Sequence, residues 1–290
     1  MSWRIVAVTK PSKLDYNMGY LVVRDVDDIL KVYLDDISVL IVENTSCSVT
    51  TALLCNLIKN KTNVIFCDEK RNPCSELMSL YGSHDCSSRL KKQIKWDDFS
   101  KQRVWTEIVA QKIKNQAKVL KHFGLVQYEM LLKYIDELEF NDASNREGHA
   151  AKVYFNALFG KDFSRNDDRP ENAALDYGYS ILLSCFNREI VSCGYNTQLG
   201  LFHDNIFNQF NLGCDLMEPF RPIVDRFVKE NNVNDFTKDI KYGLINLLNS
   251  ELKTDGRVNT LLNTIGIYSK SVFAAVEQSD FSLLKFPETE

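Results

Sequence analysis

The residue pattern changes its period once along the chain, and that change limits the folds it can reach. Up to about residue 90 the apolar residues come in short β-branched and aromatic runs: Trp3–Thr9, Gly19–Arg24, Ile37–Glu43 and Thr62–Cys67. Runs of this length and make-up suit strands. Lys10–Asp15 reads as a turn and an approach to the second strand. Ser48–Lys59 spaces its apolar residues as a helix does, so Val49–Ile58 reads as a crossover. From about Asp97 the spacing lengthens. Trp105, Ile108, Val109, Ile113, Ala117 and Leu120 recur at helical intervals within 98–123, and Gly124 stands where that helix should stop. Further helices are expected near 126–139, 144–159, 171–193, 220–231, 235–252 and 257–277, with Gly160 and Gly194 ending two of them. The pattern predicts an α+β protein. A small N-terminal β-rich domain with one helix covers 1–90, a larger all-α domain covers 91–290, and the boundary falls between Tyr81 and Trp96. No internal repeat or low-complexity tract interrupts it.

Several function classes are set aside at this level. No apolar run approaches the ~18 residues that cross a bilayer, and Met1–Lys10 lacks the apolar core of a secretory leader. A soluble, cytoplasmic protein with no membrane partner is the expectation. The eight cysteines include no C-x-x-C pair and match no zinc module, so reduced thiols are expected. No Gly-x-x-x-x-Gly-Lys-[Ser/Thr] loop or Gly-x-Ser-x-Gly elbow is present. The formal charge of −4 does not announce a nucleic-acid binder, but its distribution is uneven. From Arg89 to His122 ten lysines and arginines face only Asp97, Asp98 and Glu107. Within that segment Lys114, Lys118 and Lys121 share a helical face and are candidates for DNA phosphates or a partner. A solvated helix face would look the same.

Three segments of the helical half carry residues fit for chemistry. Glu147 lies at a helix start, His203 lies in Gly200-Leu-Phe-His-Asp, and Asp215 and Glu218 lie three apart before Pro219. Each has a structural reading when taken alone. Ser144–Glu147 is spaced as a capping box, His203 among Phe and Leu suits a packed histidine, and the acids near Arg221 suit an ion pair. Taken together, two carboxylates and an imidazole can hold a divalent cation, Mg²⁺ or Mn²⁺, with positions left for water and a phosphate oxygen. Asp215 would then orient the ligands. Arg146 and Arg221 would neutralise a phosphate with their forked donors.

The same segments carry a family resemblance. Glu147-Gly-x-Ala-Ala-x-x-Tyr-Phe, Asn172-Ala-Ala-Leu-Asp-Tyr-Gly-Tyr179, Gly200-x-x-His203 and Leu212-x-x-Asp-Leu-x-Glu-x-Phe-Arg-Pro-x-Val-Asp225 resemble the CRISPR-associated spacer-acquisition integrase and endonuclease family, Cas-one. Order, spacing and domain plan agree over essentially the whole chain. The length and the Trp3–Val6 pattern look most like the type II branch. Many members carry aspartate where this chain has Glu218 and asparagine where it has Asp176. The resemblance implies that Glu147, His203 and Glu218 are catalytic metal ligands, that the β-domain mediates homodimerisation, and that the helical domain is catalytic. It implies double-stranded DNA partners, the spacer precursor and the CRISPR repeat, and a heterohexamer with a Cas-two dimer. Cas-nine and the type II accessory adaptation protein are further implied partners. The implied reaction joins 3′-hydroxyl ends of captured DNA to the repeat by transesterification, with endonuclease activity at the same site. A hydrolytic nuclease and a non-catalytic DNA-binding scaffold are the rival readings.

Overall fold

A computed structural model describes residues 3–80 and 82–288. The chain forms two compact units, residues 1–84 and 85–290. Tyr81, where the expected boundary begins, lies outside the described residues. Residue 90, the expected end of the first domain, falls inside a helix of the second unit.

Among its described residues the first unit has two sheets and one α-helix. Strands β1 (Arg4–Val8), β5 (Ile37–Val42), β7 (Asn63–Cys67) and β8 (Pro73–Glu76) form one sheet in the order β1-β5-β7-β8. Its first three strands are parallel, and β8 runs antiparallel to β7. All six residues of β5 are buried, which is why it reads as an unbroken apolar run rather than an alternation. The second sheet has the order β4-β3-β2-β6, from β2 (Lys13–Asn17), β3 (Tyr20–Arg24), β4 (Ile29–Tyr33) and β6 (Ser48–Val49). Helix α1 (Thr51–Lys59) follows β6, with the Thr50 side chain accepting from the Leu53 amide. Leu14 and Leu21 from one sheet pack with Leu40 and Val64 from the other and with Leu53 and Leu57 of α1. The expected turn at Lys10–Asp15 is corrected, because Lys13 onward is strand. The chain reverses instead at Met18 and Gly19, both in the left-handed region (φ 48° and 87°), as a two-residue hairpin requires.

The second unit is built on α3 (Asp98–His122), about 37 Å of helix by its rise per residue. Asp97 caps it, accepting from the Ser100 amide at 2.8 Å. Helices α4 (Tyr128–Asp136), α5 (Arg146–Phe159), α7 (Asn211–Met217), α8 (Arg221–Glu230) and α10 (Leu261–Gln278) pack on it, and α2 (Cys86–Gln93), α6 (Pro170–Ser192) and α9 (Lys238–Asn246) complete the helices described in the unit. No helix among the described residues is long and apolar enough to cross a membrane. The all-α expectation is corrected at one place. The expected helices 235–252 and 257–277 lose their facing ends to a hairpin, β9 (Glu251–Thr254) and β10 (Arg257–Thr260). Asp255 and Gly256 turn it with φ of 55° and 72°, values that would break a helix and that fit a two-residue reversal. Thr260 then caps α10 by accepting from the Asn263 amide.

Close packing of α6 on α8 depends on Gly178. A Cβ built there would lie 2.5 Å from Val224 Cγ1 and 3.2 Å from Leu244 Cδ2. Gly178→Ala should therefore lower unfolding free energy by about 1–3 kcal/mol in urea titration. An unchanged midpoint would mean that α8 yields at no cost.

Candidate functional site

Glu147 enters the site because another residue takes over the capping of α5. Asn141, Asp142 and Asn145, just before the helix, all have positive φ (59°, 50° and 52°). That contorted approach turns the Asp142 carboxylate back onto the helix start, where it accepts from the amides of Arg146 (2.6 Å) and Glu147 (3.2 Å). The capping-box reading of Ser144–Glu147 is thus corrected. The Glu147 side chain instead accepts from Lys112 Nζ at 2.5 Å.

His203 is positioned by one carboxylate. Asp215, fully buried on α7, accepts from the amides of Leu201 (2.6 Å), Phe202 (3.1 Å) and His203 (3.2 Å). It also meets His203 Nδ1 at 2.5 Å. With Nδ1 engaged as a donor, the free lone pair of the neutral ring is on Nε2. The hydrogen bond to Asp215 raises the His203 pKa, against the effect of burial. Burial pushes the Asp215 carboxyl up, although His203 and the amides oppose it. Gly200 leaves room for this turn, since a Cβ there would collide with the His203 carbonyl and lie 2.7 Å from Asp215 Oδ2. Trp105 of α3 supports the loop from below. Its ring stacks on Phe202 at 4.5 Å, nearly parallel, and meets the His203 ring edge-on at 5.7 Å.

Glu218 begins a single 3-10 turn, Glu218–Phe220, between α7 and α8. Pro219 breaks the helix there, and its carbonyl accepts from Asn115 Nδ2 of α3 at 2.7 Å. The Glu218 carboxylate is almost wholly buried. Arg221 Nε lies 2.9 Å from its Oε1, and the Lys112 ammonium lies against Oε2. Oε2 is thus a buried carboxylate oxygen whose immediate neighbour is the Lys112 ammonium. Burial works to raise the Glu218 pKa, but Lys112 and Arg221 outweigh it and hold it below the usual range. At Lys112 burial opposes the charge, and Glu218 and Glu147 outweigh that.

The structure therefore gathers Glu147 and Glu218 on one ammonium, with His203 near enough for both charges to act on it. Among the described residues, no group of three or more His, Cys, Asp or Glu side chains is spaced to hold a metal ion. The donors nonetheless suit a divalent cation in kind: two carboxylates and an imidazole with one nitrogen fixed. Their spacing is that of a pair bridged by Lys112. The other expected residues lie differently. Arg221 is spent on Glu218 and on the face of Tyr179, 4.7 Å from its centroid. Arg146 pairs with Glu137 at 3.3 Å and lies over Tyr134. Lys114 and Lys121 are exposed, and Lys118 is half-buried. In the same basic segment, Arg89 and Lys92 lie against Glu277, Lys101 against Asp98, and Arg103 against Glu107. A cleft of about 550 Å³, lined by Lys118, Arg226, Lys253 and Glu288 among others, is not lined by Glu147, His203 or Glu218.

Lys112 was not singled out by sequence reasoning, although a signal existed. It occupies the same apolar stripe as Trp105, Ile108 and Val109, where a lysine is out of place unless paired. Trp105, Asn115 and Asp142 were missed as positioning residues for want of any such signal.

The fold and site define a two-unit α+β protein with a part-buried carboxylate–imidazole centre in its helical part. The chain belongs to the family described as CRISPR associated protein Cas1, which matches residues 6–246. It is 33% identical to the CRISPR-associated endonuclease Cas1 of Neisseria meningitidis serogroup C (strain 8013), over 99% of this chain and 97% of that protein. With a Cas1 endonuclease of Francisella tularensis subsp. novicida (strain U112) the identity is 27% over 74% of each chain. Among solved structures, a casposase bound to integration product superposes with TM-score 0.76 at 17% identity, covering 97% of this chain and 92% of the other. A Cas1 protein from Thermotoga maritima gives 0.72 at 15% identity, covering 94% and 97%. At these identities the two structures speak for the fold.

Behind the centre, Asp225 of α8 is fully buried and accepts from the Tyr179 hydroxyl. Burial raises its pKa to about 6, with Tyr179 and Tyr154 opposing. The folded chain thus holds a proton that the unfolded chain releases between the two pKa values. Its stabilisation is full below the unfolded value and is lost as pH rises through about 6. The swing is up to roughly 3 kcal/mol. Asp225→Asn should flatten the dependence of unfolding free energy between pH 4 and 7 by about that amount. An unaltered slope would place the titration elsewhere.

Proposed function

We propose that the chain is a metal-dependent DNA integrase of CRISPR adaptation. The observation that carries this reading is the pairing of Glu147 and Glu218 on one cation beside an imidazole held at Nδ1, in a member of the Cas1 family. Glu147, His203 and Glu218 would hold Mg²⁺ or Mn²⁺. When bound, such an ion stabilises charge building on a phosphodiester and orients the attacking oxygen. The chain's own residues do the rest. Asp215 holds the imidazole ring and keeps Nε2 available. Arg221 braces Glu218 from the side away from Lys112, and Asn115 fixes the turn that presents it.

In the reaction, a 3′-hydroxyl oxygen of a captured DNA end forms a bond to phosphorus at a repeat boundary. The bond from that phosphorus to the departing 3′ oxygen breaks, and the hydroxyl proton passes to the leaving alkoxide by way of solvent or a nearby base. One phosphodiester is exchanged for another, so no nucleotide cofactor is needed. With water in place of the 3′-hydroxyl the same site would act as an endonuclease, the activity in the names of the relatives. The partners proposed are duplex DNA, a second copy of the chain and Cas2. Structural neighbours that include a casposase with integration product and Cas6-RT-Cas1–Cas2 complexes support the DNA and Cas2 partnership. A link to Cas-nine and the type II accessory adaptation protein rests on the motif resemblance alone.

Glu147→Ala should abolish strand joining on branched DNA substrates while duplex binding and the circular dichroism spectrum persist. Joining at the wild-type rate would remove the metal role, and hydrolysed rather than joined product from the wild-type chain would favour the nuclease reading. For DNA binding, exposed Lys114 and Lys121 are the stronger candidates of the three lysines. Reversing both, Lys114→Glu with Lys121→Glu, should reduce the salt slope of duplex binding by about 1–2. An identical slope would return them to a solvated face.

A further inference from the structure

We propose that Lys112 is a resident counter-ion that competes with the metal for the site and is released from the two carboxylates when metal and a substrate phosphate arrive together. The inference rests on the metal-centre reading above. Lys112 is 7% exposed, on a helix that runs through the interior, and its ammonium contacts Glu147 Oε1 and Glu218 Oε2. A lysine so placed needs both carboxylates to remain charged. Those two oxygens are also the ones a divalent cation would need, so ammonium and metal cannot both hold them.

The local charge balance determines which group gives way. Among the groups that meet the two glutamates or a neutral His203 ring side chain to side chain, Glu147, Asp215 and Glu218 carry three negative charges, and Lys112 and Arg221 carry two positive ones. A divalent cation would turn this surplus of one negative charge into a surplus of one positive. A phosphodiester, with its single negative charge, restores neutrality. Of the two basic residues, Arg221 is the one held elsewhere, by the Glu218 Oε1 side and the Tyr179 ring. Lys112 is on a flexible four-carbon stem and is the one that can move. Without metal it keeps the buried Glu218 and the part-buried Glu147 carboxylates from repelling each other. With metal it is freed to face the incoming phosphate. Metal binding in the absence of DNA is weak as a result, and metal and DNA reinforce each other.

The test measures Mn²⁺ affinity calorimetrically on the full chain without DNA, for wild type, Lys112→Met, Lys112→Arg and Glu218→Gln. Lys112→Met should bind Mn²⁺ about tenfold more tightly or better, because the competing charge is gone, while melting roughly 5–10 °C lower without metal. Lys112→Arg, which keeps the charge, should stay near wild type. A second measurement needs no variant. Amine-reactive labelling of wild type, read by peptide mass spectrometry, should modify Lys112 slowly without metal and several-fold faster with Mn²⁺ and a short duplex. If Mn²⁺ binds through Glu218 but neither Lys112→Met affinity nor Lys112 labelling changes, the counter-ion role is overturned and the metal centre stands. If no variant, wild type included, shows Glu218-dependent Mn²⁺ binding, the metal reading fails and this inference with it.

Discussion

A charged side chain carried through a protein interior has to meet its opposite there, and α3 shows how far that condition reaches. Lys112 lies among Trp105, Ile108, Val109 and Ile113 on a helix that is otherwise a core element. Isolated, its ammonium would deprotonate or unfold the helix around it. Two carboxylates from two other segments satisfy it. For Glu147 to reach α3, α5 must be capped by some other residue, which Asp142 does. For Glu218 to reach it, the chain must break its helix at Pro219, and Asn115 takes the carbonyl that the break exposes. One buried cation thus sets the relative placement of α3, α5 and the α7–α8 turn.

His203 is organised by a separate and equally local device. Its loop is closed around a single carboxylate, and the glycine at position 200 and the indole of Trp105 leave that loop one way to lie. The two devices meet at Glu218, whose charge acts on both Lys112 and His203. This is a common arrangement for sites in which ligand groups are held before a ligand is present. The groups are kept charged by neighbours, and the neighbours are kept in place by backbone hydrogen bonds.

Much of this was legible in the sequence, and the misses have physical causes. Long apolar stripes placed α3, α5 and α6 within a few residues, because a buried helical face is written at every turn. The β5 run was readable for the same reason, being buried on both sides. The β9–β10 hairpin was overlooked although Asp255-Gly256 is a strong reversal signal, since the flanking residues also fit helical spacing. At the candidate site, Glu147, His203, Asp215 and Glu218 were named from motif order, which carries no information about contacts. Lys112 belongs to no such motif and looked like one more cation in a basic stretch. Its role depends on partners far away in the chain, and only the tertiary structure pairs them. The neighbouring Arg89, Lys92, Lys101 and Arg103 entered the sequence reading only as a charge count, which says nothing of the acidic partners they meet in the fold.

The stacking of Trp105 on Phe202 reaches beyond support of the loop. The chain has three tryptophans, and Trp105 is the one fully screened from solvent, with a flat aromatic neighbour on one side and the His203 ring at its edge. Indole emission responds to the polarity and to the ring contacts around it. Any rearrangement of the histidine segment must therefore alter the light this one residue emits, and the protein carries within its own core an optical gauge of the loop that holds its imidazole.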